Sequence, residues 1–107
     1  MDVPTGGYRL YCLTRLDLAR SQRGVQAAHA ACELVYRFGC MADPRRWGEH
    51  GPHLVWLGVR DEAELASWAK VLAGRSVAYR EPDRGDELTA LAYWGPRIRE
   101  FEELRLI

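Results

Sequence analysis

Apolar and polar positions divide the chain into short alternating blocks and helical stripes. Tyr8–Arg15 (YRLYCLTR) is rich in β-favouring residues, with Leu10, Cys12 and Thr14 alternating with Tyr11 and Leu13. That pattern predicts a strand covered on both faces. In the stretch Ser21–Gly39, Val25, Ala28, Cys32, Val35 and Tyr36 recur at helical spacing and are expected to form the buried face of a helix. Gly24, Ala27, Ala28, Ala30 and Ala31 are small enough to let that helix lie close against a sheet. Gln22, Gln26, His29 and Glu33 fall at i, i+4, i+7 and i+11, one polar line along the helix. The line reads as a plain solvent face. It also reads as a ligand site, because it starts in the first turn after a strand, where α/β folds bind anions. Asp17 or Ser21 is expected to cap the helix, with Gly24 inside it as a packing residue.

Beyond Gly39 the pattern breaks at Pro44, Gly48, Gly51 and Pro52, which predicts a long loop over 40–53. Leu54–Val59 (LVWLGV) reads as a second buried strand. Asp61 is placed to cap a second helix, whose apolar stripe is Leu65, Trp68, Ala69 and Leu72 and whose stop is Gly74. Ser76–Tyr79 and Leu88–Tyr93 read as strands three and four, joined through the turn-rich segment 80–87. Ile98, Phe101 and Leu104 suggest a short closing helix. The order β-α-β-α-β-β predicts a three-layer α/β/α fold. Its mixed four-stranded sheet would have three parallel strands and helices on both faces.

At 107 residues the chain makes one domain, 1–107, with a flexible start over 1–7 and a closing segment over 97–107. Hydrophobic residues make up 48%, enough for a single core. No apolar run approaches a membrane span and the N-terminus lacks a signal pattern, so a soluble, cytoplasmic protein without a membrane partner is expected. Fifteen basic and fifteen acidic residues cancel, which argues against a chain coated in positive charge and leaves room for a local patch. The basic set is almost all arginine, Lys70 being the only lysine. Arginine suits bidentate phosphate contacts, and a GC-rich genome gives the same bias. Cys12 in the strand and Cys32 on the expected apolar helix face read, with Cys40, as reduced core thiols. No Gly-x-Gly-x-x-Gly or Walker loop is present, so no cofactor is expected.

The strand-helix unit TRLDLARSQRGVQAAHA resembles the start of the type II peptidyl-tRNA hydrolases. That family has a strand ending in Arg-x-Asp-Leu, then a helix carrying Gly-Lys-x-Ala-x-Gln-x-x-His-Ala. Arg15, Asp17 and Leu18 match the first motif, and Gln26, His29 and Ala30 match the second. The family's Asp-containing loop, Thr-bearing strand and Gly-Pro are matched by Asp83, Thr89 and Gly95-Pro96, so the resemblance covers residues 8–96. It departs at the helix start, where Gln22 stands in place of the family's lysine and Ser21 in place of its glycine. A glutamine hydrogen-bonds a carbonyl or phosphate but carries no charge and exchanges no proton at neutral pH.

The resemblance implies hydrolysis of the ester joining a peptide to tRNA, with Asp83, Gln26, Gln22 and Thr89 as the catalytic set. Asp83 would activate or orient a water, the two glutamines would supply donors, and Thr89 would orient the water or Asp83. Asp83 also reads as an ordinary turn aspartate, Thr89 as a good β-former, and His29 as a structural histidine. Arg15, Asp17, Arg20, Arg23, His29, Arg45 and Arg46 are the candidate substrate-binding residues, with Arg84 a further arginine near the mouth. Arg45-Arg46-Trp47 suits an unpaired RNA end; scattered solubilising charge is the plain alternative. His50 and His53 beside Glu49 look like a metal cluster only superficially, and no metal is expected. The partners implied are peptidyl-tRNA or another RNA, and a second copy in a homodimer, for which Trp56, Trp68 and Trp94 offer apolar area. The alternative is a non-enzymatic relative that binds RNA or a protein partner, favoured by the missing lysine.

Overall fold

In the computed structural model, which describes residues 8–49 and 53–107, Tyr8–Arg15 is the central strand, β1. Helix α1 spans Arg20–Phe38, a short α2 spans Ala42–Glu49, β2 spans Leu54–Val59 and α3 spans Glu62–Val71. Strand β3 is Ser76–Glu81, β4 is Glu87–Pro96 and β5 is Arg105–Leu106. The fold is mixed α/β with a five-stranded sheet in the order β3-β4-β1-β2-β5. β1 and β2 pair parallel, while β4 pairs antiparallel with both β1 and β3, so β1, β2 and β3 run the same way. The expected direction of the first three strands therefore holds, but β4 is inserted between β3 and β1.

The four-strand expectation is corrected to five. In place of a closing helix, Arg99–Glu103 forms a 3₁₀ turn that delivers β5 antiparallel to β2. Five residues make too short an apolar stripe for an α-helix, and only Phe101 of the turn is buried. The expected loop over 40–53 contains α2, where Pro44 falls in the first helical turn and its missing N–H costs nothing. His50, Gly51 and Pro52 lie outside the described residues, as do residues 1–7, on which the expectation of a flexible start falls.

Helices α1 and α3 bury different sides of the sheet. β1 alternates as expected: Leu10 and Cys12 join Ala27, Ala30, Leu34, Ala90, Ala92 and Trp94 under α1. Tyr11 and Leu13 join Leu57, Leu65, Leu72, Leu91 and Phe101 under α3. Asp61 caps α3 as predicted, its carboxylate accepting from Glu64 N at 3.0 Å. Gly74, beyond the helix end, has φ +96, a conformation that favours glycine.

Helix α1 is turned by roughly half a revolution from the expected orientation. Its buried residues are Gln26, Ala27, Ala30 and Leu34, whereas Val25, Cys32, Val35 and Tyr36 are exposed, Tyr36 to 88%. Both sides of this helix are apolar in sequence, and the side with Ala27 and Ala30 approaches β4 most closely because its side chains are smallest. The cap also differs. Ala19 occupies the N-cap with no side-chain hydrogen bond, because Asp17 is taken by Arg15 and Ser21 already lies inside the helix. Among the described residues no helix is long and apolar enough to cross a membrane.

Candidate functional site

The polar line on α1 runs along the flank that faces β3, and Gln26 is the member that turns inward. Its amide is 1% exposed and fully engaged in direction: Nε2 donates to Glu81 Oε2 at 2.9 Å, and Oε1 accepts from Thr89 Oγ1 at 2.6 Å. Those two bonds decide which end of the amide is which. A nitrogen facing the carboxylate and an oxygen facing the hydroxyl is the only arrangement in which Glu81 receives a donor.

Thr89 reaches α1 through an irregularity in β4. Tyr79 pairs with Ala90 and Arg80 with Leu88, leaving Thr89 as the extra residue between them. Strict alternation from Leu91 and Tyr93 would send Thr89 to the α3 side. The bulge returns it to the α1 side and sends Leu88 to the α3 core instead.

Glu81, at the end of β3, was absent from the candidate residues. Its Oε1 accepts from Asp83 N at 3.3 Å and caps the 3₁₀ turn Pro82–Arg84, while its Oε2 holds Gln26. Gln26's hydrogen bond, followed by the Asp83 N–H and the positive charge of nearby Arg84, holds the carboxyl below the usual carboxylate range. The signal available in sequence was a Glu-Pro dipeptide ending a strand before a turn. That pattern marks a capping residue, and nothing in it points toward Gln26.

Around this group lie three of the other candidate residues. Asp83 is exposed, two residues beyond Glu81 in the 3₁₀ turn. Gln22 is exposed, one turn ahead of Gln26 on the same flank. His29 is exposed and stacked face to face on Tyr79, with ring centroids 4.7 Å apart. The Tyr79 hydroxyl is raised above its usual range by desolvation and by the carboxylates of Glu81, Glu33 and Asp83.

The remaining candidates sit elsewhere. Arg15 is 8% exposed on the α3 side, where Nε and Nη2 donate to the two oxygens of Asp17 at 2.9 and 3.0 Å. Its Nη1 donates to Glu87 Oε1 at 2.7 Å and to the Leu88 carbonyl at 3.2 Å. These bonds tie the β1 end to the β4 start, and the Arg-x-Asp pair thereby fixes the strand from which α1 departs. The hydrogen bonds of Arg15 hold the Asp17 carboxyl below its usual range. Arg23 donates to the carbonyls of Leu16 and Leu18 and so braces the β1–α1 connection. Arg20 is exposed at the first position of α1.

Arg45 pairs with Glu49 at 3.8 Å on the surface of α2, and Arg84 pairs with Glu87 at 3.7 Å. The Arg46 side chain lies outside what the structure describes. Trp47 does not stand free for stacking: it packs edge-on against Trp94 at 5.4 Å and donates to the His53 carbonyl. Among the described residues, no three His, Cys, Asp or Glu side chains are grouped to hold a metal. The structure thus brings Gln26, Thr89 and Asp83 to one end of the sheet, with Gln22 and His29 on the adjoining helix flank. It sets Arg15, Asp17 and Arg45 apart from them. No model of a known protein family matches this chain, and no curated protein matches it.

Proposed function

We propose that this chain has the three-layer α/β/α fold of the type II peptidyl-tRNA hydrolases. In this reading it is a cytoplasmic peptidyl-tRNA hydrolase-like protein acting in translation, cleaving the ester between peptide and tRNA. The observation that carries it is the hydrogen-bonded group Thr89–Gln26–Glu81 beside Asp83, formed by the helix glutamine and strand threonine on which the resemblance rests.

Thr89 and Gln26 are too buried to touch a substrate and act as positioning residues for Glu81. An ionised carboxylate has about four acceptor sites. Two of those on Glu81 are used by Gln26 and the Asp83 N–H, and the Tyr79 hydroxyl lies close enough to interact with it, so what remains can orient a water toward the ester carbonyl. Asp83, exposed in the same turn, is the second carboxylate that can take the water's proton. Gln22 supplies an uncharged donor where the family has a charged one, and Arg20 and Arg23 lie at the same end of α1 to hold phosphates. Loss of one preorganised charged donor costs about 10²–10³-fold in rate, so the expected activity is weak.

The test is incubation of purified protein with peptidyl-tRNA and measurement of released tRNA. Glu81→Gln and Asp83→Asn should each lower the rate, the larger loss marking the carboxylate that handles the water, and Gln22→Lys should raise it. If neither carboxylate substitution changes hydrolysis, the catalytic reading is wrong. The uncharged Gln22 is the observation favouring a non-enzymatic relative, which would bind the tRNA and release nothing.

The partner reading includes a homodimer. The exposed stripe Val25, Ala28, Cys32 and Val35 is spaced symmetrically about residue 30. Two antiparallel copies of α1 would set Val25 against Val35 and Ala28 against Cys32, the self-matching pattern a two-fold interface needs. Trp94 and Trp68 offer little to such a contact, since the first is 4% exposed and the second packs on Phe101. Sedimentation at micromolar concentration should give a dimer that Tyr36→Glu, at the stripe's end, converts to monomer. A wild-type monomer under those conditions would remove this part of the reading.

A further inference from the structure

Helix α1 roofs only part of its side of the sheet. Its main contacts are with β4, β3 and β1, and on the far flank Gly24 meets only the edge of Trp56 of β2. The β1–β2 register places Leu54, Trp56 and Gly58 on the α1 side, and the β2–β5 pairing places Arg105 beside Gly58. The result is a cavity of about 400 Å³ between the start of α1 and the β2–β5 edge. Its lining includes Arg20, Arg23 and Arg105 with Leu16, Trp56 and Ile107.

Three properties separate this cavity from its neighbours. Its charged side chains are all of one sign, whereas an adjoining hollow mixes Arg60 and Arg105 with Asp17, Glu64 and Glu103. A third hollow, on the α3 side, sets Arg9 and Arg97 against Glu102. Its guanidinium groups are also available. Arg20 and Arg105 make no side-chain hydrogen bond or ion pair among the described residues. Arg23 spends Nε and Nη2 on the Leu18 and Leu16 carbonyls, which fixes the group and leaves Nη1 uncommitted. Finally, the aromatic wall is held in place, because Trp56 Nε1 donates to Thr14 Oγ1 at 2.8 Å.

Arg20, Arg23 and Arg105 line one cavity that has an aromatic wall, and that excess of positive charge favours an anion there. Phosphate matches guanidinium in geometry, and an aromatic wall favours a planar ring attached to that phosphate. The volume suits a ligand of nucleotide size. We propose that this cavity binds a nucleotide. Arg20, Arg105 and the free Nη1 of Arg23 take the phosphate, and the base lies against Trp56 and Ile107. The nucleotide is either a free mononucleotide or one unit of an unpaired RNA strand. The site shares Arg20 and Arg23 with the proposed substrate seat but needs none of the ester chemistry. Ligands without an ester can therefore bind whether or not peptidyl-tRNA is cleaved.

The experiment is calorimetric titration of the full chain with adenosine 5′-monophosphate, adenosine, inorganic phosphate and an unpaired RNA pentanucleotide. The Trp56 indole N–H is followed by NMR in parallel. The monophosphate should bind at least about ten-fold more tightly than either phosphate or adenosine and should shift the Trp56 signal. Arg20→Gln and Arg105→Gln should each weaken it by about five-fold or more, and their combination should abolish it. Both side chains lack internal partners, so these variants fold. Trp56→Phe should retain binding and Trp56→Leu should lose the preference for monophosphate over phosphate. Arg60→Gln, outside the cavity, should change nothing. A pentanucleotide about ten-fold tighter than the monophosphate identifies RNA as the source, and equal affinities identify the free nucleotide. If the monophosphate binds no better than phosphate, or the double arginine variant binds it as well as the wild type, the proposal fails.

Discussion

The hydroxyl of Thr89 donates a 2.6 Å hydrogen bond to the side-chain oxygen of Gln26, from the position where β4 carries one more residue than β3. That extra residue gives the buried helix amide a partner. Without it, Thr89 would face the α3 core as an unmatched hydroxyl, and Gln26 Oε1 would lie buried against the alanines of β4. The bulge, the amide orientation and the ionised state of Glu81 thus form one dependent set.

Replacing Thr89 tests that dependence. Thr89→Val keeps the shape and removes the donor, leaving Gln26 Oε1 buried without a partner. Such a group costs about 1–3 kcal/mol. Urea unfolding should show that loss, Thr89→Ser should recover most of it, and the double variant Thr89→Val/Gln26→Leu should be less destabilised than the single one. Equal stability of Thr89→Val and wild type would mean that the hydrogen bond contributes nothing.

Much of the frame was legible because it rests on periodicity. β1, β2 and α3 follow from alternation, from a buried apolar run and from the Asp61 cap, each a local signal. The orientation of α1 was not legible, since Val25–Tyr36 and Ala27–Leu34 offer two apolar sides and only contact with β4 selects between them. β5 was hidden for the same reason, being two residues whose strand character comes wholly from pairing with β2. At the site, Gln26, Thr89 and Asp83 stood out through motif resemblance. Glu81 did not, because its partner lies fifty-five positions away across a helix–sheet contact that no local pattern encodes.

Acid should unfold the protein through its paired carboxylates. Asp17 is held below its usual range by Arg15, and Glu81 by Gln26. A carboxyl with a depressed folded-state pKa contributes stability that is complete above the unfolded value. That contribution is lost as pH falls through the folded value. The urea midpoint should therefore be flat near neutrality and decline below about pH 4. Asp17→Asn should be less stable than wild type at pH 7, and the gap should close toward pH 2. A gap independent of pH would show that Asp17 contributes no charge-dependent stability.

The three thiols should separate by reactivity. Cys12 is 8% exposed, its thiol donates weakly to the Ala27 carbonyl, and burial pushes its pKa up to about 12. Cys32 and Cys40 are exposed, contrary to the expectation that both are core thiols. Since the thiolate is the reacting form, a disulfide reagent at pH 8 should modify two thiols quickly and the third only after denaturation. Cys32→Ser and Cys40→Ser should each remove one fast equivalent, and Cys12→Ser should remove the slow one. Fast reaction of all three would contradict the burial of Cys12.

Two glycines should respond to alanine with opposite signs. Gly24 lies inside α1, and a Cβ there would meet only the edge of Trp56 at 3.8 Å, an ordinary contact. Glycine is therefore not required for packing at that position, contrary to the expectation from sequence. Its cost is the backbone freedom lost on folding, so Gly24→Ala should stabilise by about 0.5–1 kcal/mol. For a domain of this size that is a rise of about 2–6 °C in melting temperature. Gly58 lies in β2 under Leu16, and a Cβ there would stand 2.5 Å from Leu16 Cδ2 and 2.8 Å from its Cγ. Leu16 would have to leave the strand surface where β1 passes into α1, disturbing the carbonyl that Arg23 holds. Gly58→Ala should then destabilise by about 1–3 kcal/mol, the usual range for overpacking. Thermal melts of the two variants against wild type read both signs. A Gly24→Ala melt below wild type would mean that α1 lies closer to Trp56 than described, and a neutral Gly58→Ala that Leu16 has room to move.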